Sequence, residues 1–188
     1  MNINNKTILI LCPHADDETL GCGGLIHKLS TTNNITIICF SYCDSEQLKE
    51  EFTTACHTID KNLSLDILDF KVRYFDRQVI LDKLIDIKNS LNPDIVMCPC
   101  SFDIHQDHII IYNETLRAFK DRCILGYSLP WNIVGKRDFR LTVHLSEENI
   151  KAKNMAMDKY KTQYHREYFK DRTWIGNKEK IEIILWKY

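Results

Sequence analysis

The stretch "LCPHADDETLGCGG", residues 11–24, places four ionisable side chains directly after an apolar run. His14, Asp16, Asp17 and Glu18 all fall within five residues. Carboxylates gathered this closely repel one another, and burying them without compensation costs several kcal/mol. A bound cation is the natural means of offsetting that cost, although a lone His-x-x-Asp more often marks a surface turn or a helix cap. The stretch therefore predicts a metal site only in combination with a second cluster of ligands.

The composition of the whole chain is that of an ordinary globular protein. Its 188 residues fit one domain, which we place at 1–188, and hydrophobic residues make up 44%. A formal net charge of −1 gives no electrostatic basis for binding nucleic acid or an anionic membrane. The start, "MNINNKTILILC", lacks the features of a signal peptide, and no apolar run is long enough to span a membrane. We therefore expect a cytoplasmic protein.

Strand and helix patterns alternate along most of the chain. This order predicts an α/β, Rossmann-like fold, with a mostly parallel sheet flanked by helices in a three-layer sandwich. Strands are predicted at 7–12, 35–41, 65–70, 95–98, 123–129, 139–145 and 181–186. Helices are predicted at 20–31, from a cap at Asp44 or Ser45 to 59, at 79–91, at 109–119, and from a cap at Ser146 to about residue 163.

A second polar cluster, "SFDIHQDH" at 101–108, follows the fourth predicted strand as the first cluster follows the first strand. Ligands bind beyond the carboxyl ends of strands in open parallel sheets. If the two strands are neighbours, His105, Asp107 and His108 converge with the first cluster. Imidazole and carboxylate donors suit Zn²⁺, and three protein ligands would leave a position open for water.

With these residues in hand, the sequence resembles the PIG-L/LmbE-like family of zinc-dependent N-deacetylases. The first family signature, a strand followed by (P/A)-H-P-D-D-E and a glycine-containing helix start, corresponds to residues 13–24. The second, H-x-D-H, corresponds to residues 105–108. The segments "YSLPWN" and "KYKTQYHREYF" are similar to downstream parts of some members, so the likeness covers nearly the whole chain.

The resemblance implies a role for each matched residue. His14, Asp17 and His108 would hold one zinc ion per chain. Asp16 would be the general base that takes a proton from the attacking water and passes it to the leaving amine.

His105 would donate to, or electrostatically stabilise, the tetrahedral oxyanion, and Asp107 would orient His105. The implied reaction removes an acetyl group from an N-acetylated amino sugar, a small-molecule substrate carried as a glycoside, a glycolipid or a sugar nucleotide. A homo-oligomer is also compatible with this reading.

Two departures from the family pattern bear on the substrate. Ala15 replaces the usual proline and removes no functional group. Many members carry Arg-x-x-Glu on the second helix, where the arginine contacts substrate, and here Leu48 precedes Glu51 in that place. The sequence therefore does not name the sugar, the aglycone or the acyl group.

Two rival functions stay open at this point. One is a non-catalytic Rossmann-like module that binds a sugar nucleotide, and the other is a metal hydrolase acting on a phosphoester. Five ring-bearing residues fit either a sugar-stacking surface or ordinary packing, and these are Trp131, Tyr164, His165, Tyr168 and Trp174. Arg137, Arg140 and Arg166 could bind a phosphate group, but such arginines are more often solvated, and none of them is assigned a role.

Overall fold

Five parallel strands carry both polar clusters to one edge of a central sheet. The computed structural model describes residues 3–134 and 141–186. In this part of the chain the strands are β1 (Thr7–His14), β2 (Asn34–Ser41), β3 (Ser64–Ile67), β4 (Ile95–Pro99), β5 (Cys123–Tyr127), β6 (Leu141–His144) and β7 (Lys178–Leu185). The helices are α1 (Asp17–Ser30), α2 (Glu46–Ile59), α3 (Arg77–Leu91), α4 (Gln106–Ala118), α5 (Glu147–Met157) and α6 (Glu167–Lys170).

The order of the strands explains where a ligand can bind. The sheet runs β3-β2-β1-β4-β5-β7-β6. Strands β1 to β5 are parallel, whereas β7 runs antiparallel to β5, and β6 runs antiparallel to β7. The chain turns one way after β1 and the other way after β4, so a crevice opens between the carboxyl ends of these two neighbours. Strands β1 and β4 are therefore neighbours, as the predicted convergence of the two polar clusters requires.

Helices cover both faces of the sheet. One face packs against α1, α2 and α5 around a core that includes Ile10, Phe52 and Met157. The other face packs against α3 and α4 around a core that includes Leu9 and Ile111. The predicted three-layer, mostly parallel α/β fold is confirmed. No helix in residues 3–134 or 141–186 is both long and apolar enough to cross a bilayer.

Three helix boundaries differ from the sequence prediction by three residues or more, and one is the start of α4, which lies at Gln106 rather than at residue 109. Helix α1 begins at Asp17 rather than at residue 20, because the carbonyl of Asp16 already accepts from the N–H of Leu20 at 2.9 Å. Helix α5 ends at Met157 rather than near residue 163. There the N–H of Tyr160 donates to the carbonyl of Met157, three residues earlier, rather than to a carbonyl four residues earlier. The buried hydroxyl of Tyr160 donates to Glu18, and the α-helix ends at this turn.

The remaining elements agree with prediction to within a few residues. Ser45, rather than Asp44, caps α2 by accepting from the N–H of Leu48 at 3.2 Å. Ser146 and Asn149 form the capping box of α5. Of the strand predicted at 139–145, residues 139 and 140 lie outside the described residues, and the rest contains β6.

Helix α1 carries the first polar cluster and is buried over its first ten residues, Asp17–Ile26. Its hydrogen bonding is interrupted at Cys22, where φ is −148° and ψ is 22°. Glu179 of β7 caps the second half of the helix by accepting from the N–H groups of Gly24 at 3.1 Å and Leu25 at 2.8 Å. A Cβ atom at Gly24 would lie 2.5 Å from a methyl group of Leu145, so only glycine permits this close packing.

A buried cation completes this support. Lys153 of α5 places its ammonium 2.7 Å from Oε1 of Glu179 and donates to the carbonyl of Leu20 at 2.8 Å. Both side chains are at most 6% exposed. The Lys153–Glu179 pair therefore links α5 and β7 to the two halves of the helix that enters the site.

Replacing one member of this pair tests its role in stability. Lys153→Met leaves the Glu179 carboxylate buried and uncompensated, so we expect a loss of about 3–5 kcal/mol in the free energy of unfolding. Lys151→Met, at an exposed position of the same helix, is the matched control and should stay within about 0.5 kcal/mol of the unchanged protein. Urea unfolding measures both variants, and equal stability of the two would contradict this account.

Candidate metal centre and active site

The two polar clusters meet where β1 and β4 end. The strands pair in register at Ile8 with Ile95 and at Ile10 with Met97. His14 is the last residue of β1, and helix α4 begins after the loop that follows β4, with His105 as its N-cap. The polar side chains come from positions more than 90 residues apart in sequence and are brought together by this single strand pairing.

Three donor atoms form a nearly regular triangle at this point. Nε2 of His108 lies 3.3 Å from Nδ1 of His14 and 3.3 Å from Oδ2 of Asp17. Nδ1 of His14 lies 3.5 Å from the same Asp17 oxygen. In a tetrahedral site with metal–donor bonds of about 2.0–2.1 Å, ligand atoms are about 3.3–3.5 Å apart. The three atoms therefore have the spacing of one face of a tetrahedral metal site.

The other nitrogen of each of these imidazoles contacts a carboxylate. Nδ1 of His108 lies 2.8 Å from Oδ2 of Asp103, and Nε2 of His14 lies 2.9 Å from Oδ2 of Asp107. Carboxylates in this position hold a metal-binding imidazole in the tautomer whose free nitrogen faces the metal. The donor set and its supports thus fit a divalent metal ion, and the sequence-predicted ligands His14, Asp17 and His108 are brought together.

Asp103 is a site residue that the sequence analysis missed. Its side chain is buried, and besides His108 it accepts from the backbone N–H of His105 at 2.9 Å. The amide nitrogen of Asn132 donates to it at 3.3 Å. The only available signal was an aspartate five residues before His108 inside the second cluster, and no spacing rule distinguishes it from a surface residue.

The charges of the cluster are strongly coupled. Burial lowers the pKa of His14, but hydrogen bonds with Asp107 and Asp17 outweigh that effect and raise it to about 9. In His108, the charge of Asp17 and the bond to Asp103 overcome burial and raise the pKa to about 10. Burial opposes ionisation of Asp17, yet the neighbouring His108 and His14 hold its pKa well below the usual range. Positive charge is therefore favoured at the centre of the triangle, as protons or as a metal cation.

His105 lies beside the triangle and is the alternative third ligand. His14, His105 and His108 each bring a ring nitrogen within 4.8 Å of the others. Oδ2 of Asp17 lies 3.5 Å from the His14 nitrogen and 3.3 Å from the His108 nitrogen, well within 4.8 Å. Nδ1 of His105 already accepts a hydrogen bond from the backbone N–H of Asp107 at 3.3 Å. The Asp17 oxygen therefore completes the closer set of three donor atoms, and His105 lies at the side of this triangle.

The expected contact between the Asp107 carboxylate and the His105 ring is not present. Oδ2 of Asp107 instead approaches His14 and accepts from the backbone N–H of Arg73 at 2.8 Å. Because Asp107 lies in the first turn of α4, its side chain turns inward to His14 while its N–H reaches back to the N-cap. The orientation of His105 thus depends on helix capping, and the Asp107 carboxylate supports a metal ligand.

Asp16 adjoins the ligands and has a strained backbone. Its φ is 125°, a backbone value that residues other than glycine rarely adopt. The N–H of Asp16 donates to Oε2 of Glu18 at 3.2 Å. Glu18 is fully buried and also accepts from Thr19 and Tyr160. Burial, followed by the charge of Asp17, raises the pKa of Asp16 well above its ordinary value, although Arg166 opposes the increase. Through its hydrogen bonds Glu18 supports the backbone at Asp16.

A cavity of about 220 Å³ opens in front of the cluster. Its far wall contains Trp131, whose ring stacks on Tyr168 at 4.0 Å with an interplanar angle of 2° and meets Trp174 edge-on at 5.3 Å. Arg166 lines the cavity and donates to the Tyr168 hydroxyl at 2.5 Å. Leu48 contributes an apolar patch where the family pattern has arginine. Trp131 and Tyr168 are thus exposed to the cavity, whereas Trp174 buttresses them.

The family comparison covers the part of the chain that contains both clusters. Residues 9–119, more than half of the chain, match the PIG-L family, described as GlcNAc-PI de-N-acetylase. The chain belongs to the PIG-L family. That description denotes an amide hydrolase, and both polar clusters lie inside the matched residues. A search of curated proteins found no significant match to this sequence.

Solved structures with the same fold have little sequence identity to the PIG-L chain described here. The 4-carboxy-2-hydroxymuconate hydratase GalB from Pseudomonas putida KT2440 is 14% identical, with a TM-score of 0.77 over 97% of this chain and 98% of that one. The zinc-inhibited form of teicoplanin deacetylase Orf2 is 15% identical, with a TM-score of 0.69 over 94% and 97%. N,N'-diacetylchitobiose deacetylase from Pyrococcus horikoshii is 15% identical, with a TM-score of 0.67 over 95% and 84%. These likenesses establish the fold.

The carboxylate behind His108 offers a test of the metal centre that does not require a substrate. In Asp103→Asn the imidazole loses its anionic partner, so we expect zinc affinity to fall about 10- to 100-fold. Competition with a chromophoric chelator measures the dissociation constant. Asp86→Asn, at an exposed position on α3, is the control and should bind zinc as the unchanged protein does. Unaltered affinity in Asp103→Asn would contradict the assigned support.

Proposed function

We propose that this PIG-L family protein is a zinc-dependent N-deacetylase that removes the acetyl group from an N-acetylated amino sugar of the N-acetylglucosamine type. One observation carries the proposal. The triangle formed by His14, Asp17 and His108 has the spacing of a three-ligand metal site, with Asp16 beside it and His105 at its edge. A metal site that keeps one position open and adjoins a carboxylate is typical of hydrolysis rather than of structural zinc.

His14, Asp17 and His108 would hold the metal, one ion per chain. Zinc suits two imidazoles and one carboxylate at this spacing. When bound, it supplies a Lewis acid that polarises a carbonyl oxygen and lowers the pKa of water. Teicoplanin deacetylase Orf2 has a zinc-inhibited form, but that property belongs to Orf2. Our choice of zinc for the present chain therefore depends on its own donor atoms.

Asp16 serves as the general base in this proposal. Its raised pKa makes the carboxylate a better proton acceptor than an exposed aspartate, and the cause is burial beside the charged Asp17. It accepts a proton from the attacking water and delivers it to the nitrogen that leaves. The positive φ of Asp16 holds this side chain beside the ligands, because the chain turns sharply there from β1 into α1.

His105 serves as a neutral hydrogen-bond donor to the developing oxyanion. Burial, together with the charges of His108 and His14, lowers its pKa, so the ring is neutral near pH 7. Its Nδ1 accepts the N–H of Asp107, which assigns the remaining proton to Nε2. A fixed donor of this kind stabilises charge that appears only in the transition state. Asp103 and Asp107 position the two ligand imidazoles.

The fold alone does not select this reaction, because a hydratase shares it. The family match and the position of Asp16 favour amide hydrolysis. A module that only binds a sugar nucleotide has no need for two buried carboxylates behind metal-binding imidazoles, so we place that alternative second. A phosphoester hydrolase with two metals would need a second set of ligands, and the candidate metal ligands found in residues 3–134 and 141–186 form a single group.

Several sequence-based expectations accompany the proposal and stay predictions. They are a single domain over 1–188, a cytoplasmic location and assembly into a homo-oligomer. The identity of the sugar and its aglycone also stays open, since Leu48 occupies the place of the family's substrate-binding arginine.

Acetate release tests the proposed reaction. Zinc-loaded protein is incubated with N-acetylglucosamine, its methyl glycoside, and nucleotide-linked and lipid-linked N-acetylglucosamine. We expect equal amounts of acetate and free amine from at least one compound. Removal of the metal with a chelator should abolish release, and added zinc should restore it. Release that survives complete metal removal would contradict the mechanism.

The role of Asp16 is tested by an isosteric change. In Asp16→Asn the amide cannot accept the proton of water, so we expect kcat to fall about 100- to 10,000-fold with one zinc ion per chain retained. Zinc content is measured in the same preparation. Asp44→Asn is the matched control, because Asp44 also has a positive φ, 55°, but is exposed and does not line the cavity. Full activity in Asp16→Asn would show that another group is the base.

A further inference from the structure

Arg166 places a positive charge at the cavity that the proposed reaction does not use. The residue is exposed and lines the cavity, so a bound molecule can reach it. The arginines that form an ion pair within residues 3–134 and 141–186 are Arg77, Arg117, Arg122 and Arg172. The charge of Arg166 is therefore not neutralised by a paired carboxylate in this part of the chain.

Three groups that line the cavity interact with the guanidinium of Arg166. Its Nη1 donates to the hydroxyl of Tyr168 at 2.5 Å. Burial raises the pKa of Asp16 and that of Cys43, and the charge of Arg166 opposes the rise in both. Because Asp16, Cys43 and Tyr168 all line the cavity, the charged end of the side chain lies at the cavity rather than in open solvent.

Both ends of this arginine are held in place. Its N–H donates to the carbonyl of Gln163 at 2.9 Å, and its own carbonyl accepts from the N–H of the buried Phe169 at 3.1 Å. The hydroxyl that holds the guanidinium belongs to the Tyr168 ring, which stacks on Trp131 at 4.0 Å. Binding a ligand therefore costs less side-chain entropy here than at a freely rotating surface arginine.

This part of the wall offers hydrogen-bond donors that lack acceptors. A guanidinium carries several N–H donors and no acceptor, and the one side-chain partner found for Arg166 in residues 3–134 and 141–186 is Tyr168. Because the Tyr168 oxygen accepts that bond, its own O–H is left to donate, and the same residues supply no acceptor for it. Phosphate and carboxylate groups, which are negatively charged and carry several acceptor oxygens, match such a surface.

The charges that line the cavity also favour an anionic ligand. In the described part of the chain, the lining carboxylates are those of Asp16 and Asp17, and the lining arginines are Arg73 and Arg166. The two arginines balance the two carboxylates, so the divalent metal proposed for the triangle would make the cavity net positive. A cleft with excess positive charge attracts anions.

We propose that Arg166 is a specificity-determining residue that binds an anionic oxygen group, a phosphate or a carboxylate, attached to the N-acetylated amino sugar. This inference rests on the proposed function for the sugar itself, and it adds the class of substituent that the sugar carries. Leu48, in the place of the family's substrate-binding arginine, offers no charge. The cation that meets the substrate therefore comes from the C-terminal part of the chain.

Matched neutral and anionic sugars test this contact. The neutral reference is the methyl glycoside of N-acetylglucosamine, and the anionic compounds are the carboxymethyl glycoside, the 1-phosphate and the 6-phosphate. With zinc-loaded protein, we expect at least one anionic compound to exceed the reference by about 10- to 100-fold in kcat/KM, mainly through a lower KM. The carboxymethyl glycoside and the 1-phosphate distinguish carboxylate from phosphate at one position, and the 6-phosphate tests a second position.

Charge removal at two positions assigns the preference to Arg166. Arg166→Gln should remove the preference, and any change that affects all sugars alike cancels in the ratio of anionic to neutral kcat/KM. Arg166→Lys keeps the charge without the planar fork, so it should retain part of the preference. Lys170→Gln is the matched control, because Lys170 is exposed and does not line the cavity, and it should keep the full preference. An unchanged ratio in Arg166→Gln, or an equal loss in Lys170→Gln, would overturn the proposal.

Dissociation constants separate this inference from the proposed reaction. Calorimetry on Asp16→Asn, with and without Arg166→Gln, measures binding of the same sugars without turnover. A preference for an anionic sugar that Arg166→Gln removes, without acetate release by the unchanged protein, would support the contact and contradict deacetylation. Acetate release at equal kcat/KM from neutral and anionic sugars would support deacetylation and contradict the contact. Failure of every anionic sugar to bind more tightly than the methyl glycoside would contradict the contact as well.

Discussion

The site depends on one constraint: three donor atoms from two distant loops must meet at the spacing of a metal's coordination shell. Pairing of β1 with β4 meets that constraint, because it sets His14 and Asp17 directly opposite His108. Carboxylates lie behind both imidazoles, so the cluster contains more negative than positive charge unless protons or a cation enter it. The raised pKa values of His14 and His108 express the same demand for positive charge. A metal cation satisfies it with the geometry that is already present.

The two halves of the chain contribute differently to this site. Residues 9–119, which match the family, contain the proposed metal ligands, the proposed base and the imidazole at the edge. The later residues support and enclose them. Lys153 and Glu179 hold the broken helix α1, and Tyr160 binds the carboxylate of Glu18 behind Asp16. Gln163, Arg166 and Tyr168 then line the cavity. The donor triangle and this part of the cavity wall are therefore separate in sequence but linked through α1.

The fold and the convergence of the two polar clusters were largely predictable, because both leave strong local patterns. Apolar runs at 7–12 and 95–98 and the polar clusters after them are visible in the sequence, and parallel strands place their carboxyl ends together. The length of α5 was not predictable, since its end depends on a buried bond between Tyr160 and Glu18 that links distant segments. The contact of Asp103 with His108 and that of Asp107 with His14 were not predictable either. These contacts depend on which way a side chain turns, and sequence spacing does not encode that direction.

The most direct test of this account is a crystal structure of the zinc-loaded protein with anomalous data collected on both sides of the zinc absorption edge. We predict one zinc peak per chain, about 2.0–2.2 Å from Nδ1 of His14, Oδ2 of Asp17 and Nε2 of His108, with Asp16 uncoordinated. A peak bound by His14, His105 and His108 without Asp17, or zinc located only elsewhere on the protein, would contradict the assignment of the metal centre.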